Sequence, residues 1–307
     1  MTTFAKYLLI IINRKAMKRH FVTIIALLGF CMMANATTVT KTYDYNFNGI
    51  DVSDMFDITL VKADVHSVTV QLDSEYVPYL SVTASSGVLK VCFKKLPVKL
   101  KLNRKAFKLT ICTPMVNYIV LSGACKLSCN DTFSLGMNNF RATVSGASTI
   151  SSLGLKTIDA SIKVSGASKV FIDGEFSDFE AQVEGASRLT LDGSVSDLDA
   201  KVTGSSELKV TGTVHEVDVD VKGASKAELI GEGRELKAGV VGASKLSAAE
   251  FRVLSAEIEA AGASTVTVNA SASLKAKISG ASTCRYADYP DLRIFPEVRG
   301  GATFRAL

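Results

Sequence analysis

The sequence predicts an all-β protein: a parallel β-helix, or β-solenoid, of about nine or ten coils of 19–20 residues. A Gly-Ala-Ser motif recurs, with its glycines 18 to 23 residues apart. Apolar residues alternate with polar ones on both sides of each motif, which is the pattern of a strand. The 307 residues include 22 Gly and only 5 Pro, a composition typical of repetitive β proteins with many tight corners.

The Gly-Ala-Ser motif marks one corner of each predicted coil, because glycine tolerates the positive φ of a tight corner. A second corner lies eight residues later, for example at Gly174 and Gly193. Each coil should hold two short strands and at least two bends. Stacking of the coils buries a continuous apolar core, into which the recurring serine points. The first-corner glycines are Gly123, Gly146, Gly166, Gly185, Gly204, Gly223, Gly242, Gly262, Gly280 and Gly300.

The repeat divides the chain into segments. Residues 112–307 are the predicted solenoid, which Arg285 to Leu307 should close at its far end. Residues 37–111 lack the motif, but stretches such as Phe56 to Val61 alternate like strands. We expect this β-rich segment to cap the solenoid or to extend its sheet.

Residues 1–36 read as a signal peptide. A basic start at Lys18 and Arg19 precedes an apolar stretch from Phe21 to Met33, and Ala34-Asn35-Ala36 is typical of a cleavage site. Met17 is the predicted true start, because residues 17–36 alone form a complete signal. The rest of the chain has no segment long and apolar enough to span a membrane. We therefore expect an exported protein in the periplasm, at the outer membrane or on the cell surface.

The net charge of +5 belongs to this leader. Its five basic residues are part of the 35 in the chain, so 30 basic and 30 acidic residues remain after cleavage. A neutral mature chain does not predict binding to nucleic acid. The five remaining cysteines match no zinc spacing, and three of them fall in inward positions, so they are interpreted as small buried residues. They are Cys92, Cys112, Cys125, Cys129 and Cys284.

Taken together, the motif array, the signal peptide and the entry segment Phe47 to Asp64 resemble a family common in Bacteroidetes, "putative auto-transporter adhesin, head GIN domain". The resemblance covers roughly residues 40–305. It implies a secreted β-helical protein of the cell envelope, of unknown function, and it supplies no catalytic motif.

Acidic residues recur on the predicted outer surface, at fixed distances before successive corner glycines. Neighbouring coils lie about 4.8 Å apart, so these carboxylates repel one another. Three interpretations are open: a Ca²⁺ site, a carboxylate cluster like that of β-helical polysaccharide-cleaving enzymes, or a solvated face neutralised by lysines such as Lys163 and Lys201. The candidate residues are Asp178, Asp197, Asp199, Glu216 and Asp218.

A basic segment lies in residues 90–108, which contain eight Lys or Arg and no acid. It indicates either contact with an anionic glycan or membrane surface, or an edge strand that lysines protect from aggregation. The candidate residues are Lys94, Lys95, Lys99 and Lys101.

No catalytic residue and no cofactor is predicted. Only His66 and His215 follow the leader, and each is isolated in the sequence. The sequence therefore favours a non-catalytic binding or structural module of the cell envelope, of an adhesin-like kind. The alternatives are a polysaccharide-active enzyme that uses the acidic surface, and a periplasmic scaffold.

Cleavage after Ala36 is directly testable. N-terminal sequencing of the protein from an envelope fraction should begin at Thr37, because signal peptidase cuts once, after a small-x-small sequence such as Ala34-Asn35-Ala36. A mature chain that retained Phe21 to Met33 would contradict the prediction and indicate an apolar anchor.

Overall fold

A computed structural model describes residues 38–97, 100 and 107–307. The predicted signal peptide lies outside the described residues. The N-terminal strands are β1 (Thr38–Tyr43), β2 (Gly49–Val52), β3 (Phe56–Lys62), β4 (Ser67–Asp73), β5 (Leu80–Ser85), β6 (Val88–Phe93) and β7 (Phe107–Thr113), with a short 3-10 helix (Ser74–Tyr79) between β4 and β5.

The following strands form the repetitive part of the chain. They are β8 (Tyr118–Leu121), β9 (Lys126–Gly136), β10 (Phe140–Val144), β11 (Thr149–Val164), β12 (Lys169–Val183), β13 (Arg188–Val202), β14 (Glu207–Gly223), β15 (Lys226–Glu232), β16 (Glu235–Gly242), β17 (Lys245–Gly262), β18 (Thr265–Ile278), β19 (Thr283–Tyr286), β20 (Arg293–Val298) and β21 (Thr303–Ala306).

The structure confirms the predicted all-β solenoid, which has about ten turns. Equivalent residues of successive coils pair in parallel, as Val183 does with Val202, and Val202 with Val221. These valines are fully buried, so the inward positions of the repeat stack into one core. The period of the motif thus sets both the length of a coil and the register between coils.

From Gly123 onward, the first corner of each coil is glycine for two reasons. Gly204 has a φ of 85°, and a Cβ atom there would lie 2.6 Å from the carbonyl oxygen of Gly185 in the preceding coil. That oxygen accepts a hydrogen bond from the backbone N–H of Ser205, at 2.7 Å. A side chain would therefore both strain the backbone and separate the two coils.

A third bend, beyond the two named in the sequence analysis, gives each coil a further side. Between the buried Val195 and Leu198, the two consecutive residues Ser196 and Asp197 are both exposed. The ladder with the next coil skips Ser196 and resumes at Asp197. The alternation of buried and exposed residues therefore shifts by one residue at this bend. Asp197 is the first outward-facing residue of the strand that follows it.

The recurring serines point inward, as predicted, and are buried from Ser148 to Ser282. Some hydroxyls have partners: Ser244 donates to the carbonyl oxygen of Val241 at 2.9 Å, and Ser264 and Ser282 share a 3.1 Å hydrogen bond. Within the described chain, the hydroxyl of Ser148 has no hydrogen-bond partner. The serine column thus serves mainly as a row of small side chains that fit inside the corner.

At the N-terminal end, the coils are stacked out of chain order. Strand β2 pairs with β6 on one side and β8 on the other, and β3 lies likewise between β7 and β9. The corner between β2 and β3 is Asp54, with a φ of 78°. Its carbonyl oxygen accepts the N–H of Ala124 and its carboxylate accepts the N–H of Phe93, at 2.6 and 2.7 Å. Asp54 therefore connects the coils on both sides.

Antiparallel strands cover the open end of this stack. Strand β4 pairs with β7, β1 pairs with β4, and β5 pairs with β6. Under them, Phe93 lies 5.2 Å from Phe56 and 4.9 Å from Phe107 between ring centroids, and Tyr76 lies 5.0 Å from Phe107. Aromatic packing thus closes the apolar core where the parallel ladder stops.

The close approach of successive coils at the first corner predicts a large difference between two glycine substitutions. Gly204→Ala should lower the free energy of unfolding by about 3 kcal/mol, because its Cβ meets the neighbouring coil. Gly136→Ala should cost only about 1 kcal/mol, because φ is +59° but nothing lies within 4 Å of its Cβ. Urea unfolding of both variants is the measurement, and equal losses would contradict the close-approach argument.

Candidate functional site

The third side of the solenoid carries a row of carboxylates, one from each of five successive coils. Asp159 pairs with Asp178, Asp178 with Asp197, Asp197 with Glu216, and Glu216 with Glu235. We call these five residues the acidic column. Because paired residues of adjacent strands are about 4.8 Å apart, the column places like charges side by side on consecutive coils.

A second row runs parallel to the acidic column, two residues further along each strand. Glu180, Asp199 and Asp218 pair in sequence, and Asp218 then pairs with Lys237. We call the acidic column together with Glu180, Asp199 and Asp218 the acidic face.

The residues of the acidic face other than Asp159 line a surface groove of about 750 Å³. All five acidic residues singled out in the sequence line this groove together: Asp178, Asp197, Asp199, Glu216 and Asp218. A neighbouring groove of about 360 Å³ adds Asp220 and Glu259, which the sequence analysis missed. The sequence signal that could have found them is the repeat spacing, because Asp220 and Glu259 occupy the equivalent position of their coils, two residues beyond the second row.

Lysines neutralise the second row more than the acidic column. Lys237 Nζ lies 2.9 Å from Asp218 Oδ2, and Lys201 Nζ lies 3.9 Å from Asp199 Oδ1. Lys163, expected to neutralise the face, instead pairs with Glu184 at 3.7 Å. Among the described residues, no basic group comes within 4.0 Å of the other candidates. These unpaired candidates are Asp178, Asp197 and Glu216.

The neighbouring carboxyl groups of the column shift the pKa of Asp178. A hydrogen bond with the carboxyl group of Asp159 raises the pKa of Asp178, and partial desolvation and the charges of Asp159 and Asp197 raise it further. A hydrogen bond between two carboxyl groups needs a proton on one of them. The column therefore takes up a proton more readily than an isolated aspartate does.

The carboxylates form a line rather than a cage. Ca²⁺ prefers six to eight oxygen ligands at about 2.3–2.6 Å around one point. Within the part of the chain that the structure describes, no group of three or more His, Cys, Asp or Glu residues is placed to hold a metal ion. The Ca²⁺ interpretation of the acidic residues stays a prediction.

The described part of the basic segment consists of the end of β6, residues 94–97 and 100, and the start of β7. Lys94 and Lys95 are exposed directly after β6. Lys99 and Lys101 lie outside the described residues. Lys90, within β6, forms an ion pair with Asp51 at 3.1 Å. The structure therefore places the described lysines on the outermost coil, away from the acidic face.

Three cysteines occupy inward positions, as predicted. Cys125, Cys129 and Cys284 are buried, and all five cysteines of the described chain are free thiols. Burial raises the pKa of Cys284 to about 12 and that of Cys125 to about 11. These thiols remain protonated at neutral pH, so they serve as small apolar side chains.

Titration of the acidic column predicts a pH-dependent effect of Asp178→Asn. Because the pKa of Asp178 is raised in the folded chain, the contribution of Asp178 to stability is most favourable while its carboxyl group is protonated, and it falls as the pH rises through that pKa. Asp178→Asn removes this loss, so the variant should melt above the wild type at pH 7 and close to it at pH 3. Thermal unfolding across this range is the measurement.

Asp218→Asn is the matched control for this experiment. It removes a carboxylate that already has a partner, Lys237, and should leave the melting temperature at pH 7 unchanged or slightly lower. A similar increase in both variants would indicate general charge relief rather than repulsion within the column.

The fold is similar to two crystal structures described as "putative adhesin". The structure from Parabacteroides distasonis ATCC 8503 has 18% identity and a TM-score of 0.51, and the match covers 89% of this chain and 98% of that chain. The structure from Parabacteroides merdae ATCC 43184 has 16% identity and a TM-score of 0.50, over 89% and 97% of the two chains. At these identities, the similarity concerns the fold alone.

A comparison with curated proteins found no match. A family model matches residues 46–213 and again residues 188–290. The two matches together span most of the chain, including the acidic face and the coil that contains Asp54. The chain therefore belongs to the family "Putative auto-transporter adhesin, head GIN domain".

Proposed function

We propose that this protein is an exported, non-catalytic binding module of the cell envelope that holds a cationic partner along its acidic face. Membership of an adhesin-type family supports a binding role. The observation that carries the proposal is the acidic column, in which Asp178, Asp197 and Glu216 lie in register without basic partners among the described residues. The predicted signal peptide in residues 17–36 supports export.

Repulsion within the column is relieved when a cation binds. Like charges that face each other across adjacent strands destabilise a sheet. This repulsion remains at the acidic column, whereas lysines neutralise the nearby Asp218 and Asp199. A partner with positive charges along the groove would supply the missing counter-charge, so that binding and folding stability are coupled.

The backbone ladder holds the carboxylates at a fixed spacing before a partner arrives. A rigid row loses little conformational entropy on binding, whereas a flexible acidic tail would lose much. The exposed position of the row makes the attraction sensitive to salt, since the Debye length is about 8 Å at physiological ionic strength. The partner that fits is therefore an extended polycation, such as a basic peptide segment or a polyamine-bearing polymer.

Titration with poly-lysine tests this proposal. The triple variant Asp178→Asn, Asp197→Asn, Glu216→Gln should bind poly-lysine about tenfold more weakly than the wild type, if each lost charge contributes about 0.5 kcal/mol. Fluorescence anisotropy at low and physiological salt is the measurement. The affinity of the wild type should also fall as salt is added.

The matched control carries the same change in net charge elsewhere. The control removes three carboxylates outside the acidic face by Glu175→Gln, Glu207→Gln and Glu228→Gln. In the wild type, these glutamates form ion pairs with Lys156, Arg188 and Lys209, respectively. This variant should retain the affinity of the wild type. Equal weakening in the two variants would show that net charge alone attracts the polymer, and the acidic face would lose its assigned role.

Two other functions are tested by two further double variants. Binding of a sulfated polysaccharide that Lys94→Glu with Lys95→Glu abolishes would favour an anionic glycan as the partner of the basic segment. Turnover of a polysaccharide that is lost in Asp197→Asn with Asp199→Asn would favour the enzyme alternative. His66, whose Nε2 lies 2.8 Å from the carbonyl oxygen of Phe47, takes no part in the acidic face.

An adhesin-like role also requires exposure at the cell surface. In the described residues, no helix is long and apolar enough to cross a membrane. We expect protease added to intact cells to digest this protein while a periplasmic control protein survives. Protection until lysis would contradict the surface role and favour a periplasmic scaffold.

A further inference from the structure

We draw no further inference here: the strongest candidate beyond the acidic face, the outer edge of β20 and β21 where Phe295 and Val298 are exposed, carries nothing because nothing in the structure shows what covers it.

Discussion

One backbone hydrogen bond at the first corner is the constraint on which the rest of the solenoid depends. From Gly146 to Gly280, the N–H that follows each corner glycine donates to the carbonyl oxygen of the corner glycine one coil earlier, at 2.7 Å from Ala147 to Gly123 and at 2.8 Å from Ala224 to Gly204. This short step leaves no room for a Cβ atom, which is why the glycines recur. With the corner fixed, the residues near it and along the third side of the coil pair with their equivalents in the next coil, although bulges shift the register elsewhere in some coils. Inward valines therefore form a core and outward acids form a column.

The acidic face is therefore a consequence of register combined with repetition. An isolated surface aspartate on an ordinary sheet can turn toward a lysine of any neighbouring strand. In this stack, Asp197 has Asp178 on one side and Glu216 on the other, and the next row along the strand is also acidic. The arrangement concentrates charge on one side of the coil, while ion pairs such as Lys156 with Glu175 lie on other sides.

The sequence predicted what depends on local periodicity. The corner glycines, the inward Cys125 and Cys284, and the alignment of Asp178, Asp197 and Glu216 all follow from counting residues within a repeat of nearly constant length. The third bend was present in the sequence as the adjacent polar residues Ser196 and Asp197. It was missed because each coil was described as two strands, with no bend expected at this position.

Other features depend on contacts between distant segments. Strands β2 and β3 lie between β6–β7 on one side and β8–β9 on the other, and no sequence period predicts this placement. Some fifty residues separate the end of β3 at Lys62 from Asn117, just before β8, instead of the 19–20 residues of one coil. The corner role of Asp54 was hidden for the same reason, because aspartate replaces the diagnostic glycine. Which lysines neutralise the acidic residues was also unpredictable, since side-chain reach decides it: Lys163 forms its ion pair with Glu184, which is not part of the acidic face.

The out-of-order coil gives the two ends of the stack different mechanical behaviour. Tension applied through β1 separates it from β4 and then reaches β2, which β6 and β8 hold from both sides. Extraction of β2 must break two parallel ladders at once, so the load is shared between them. Tension applied through β21 meets a single ladder, with β19, and removes the stack one coil at a time. A pulling force is therefore resisted more strongly where the chain enters the solenoid than at its last coil.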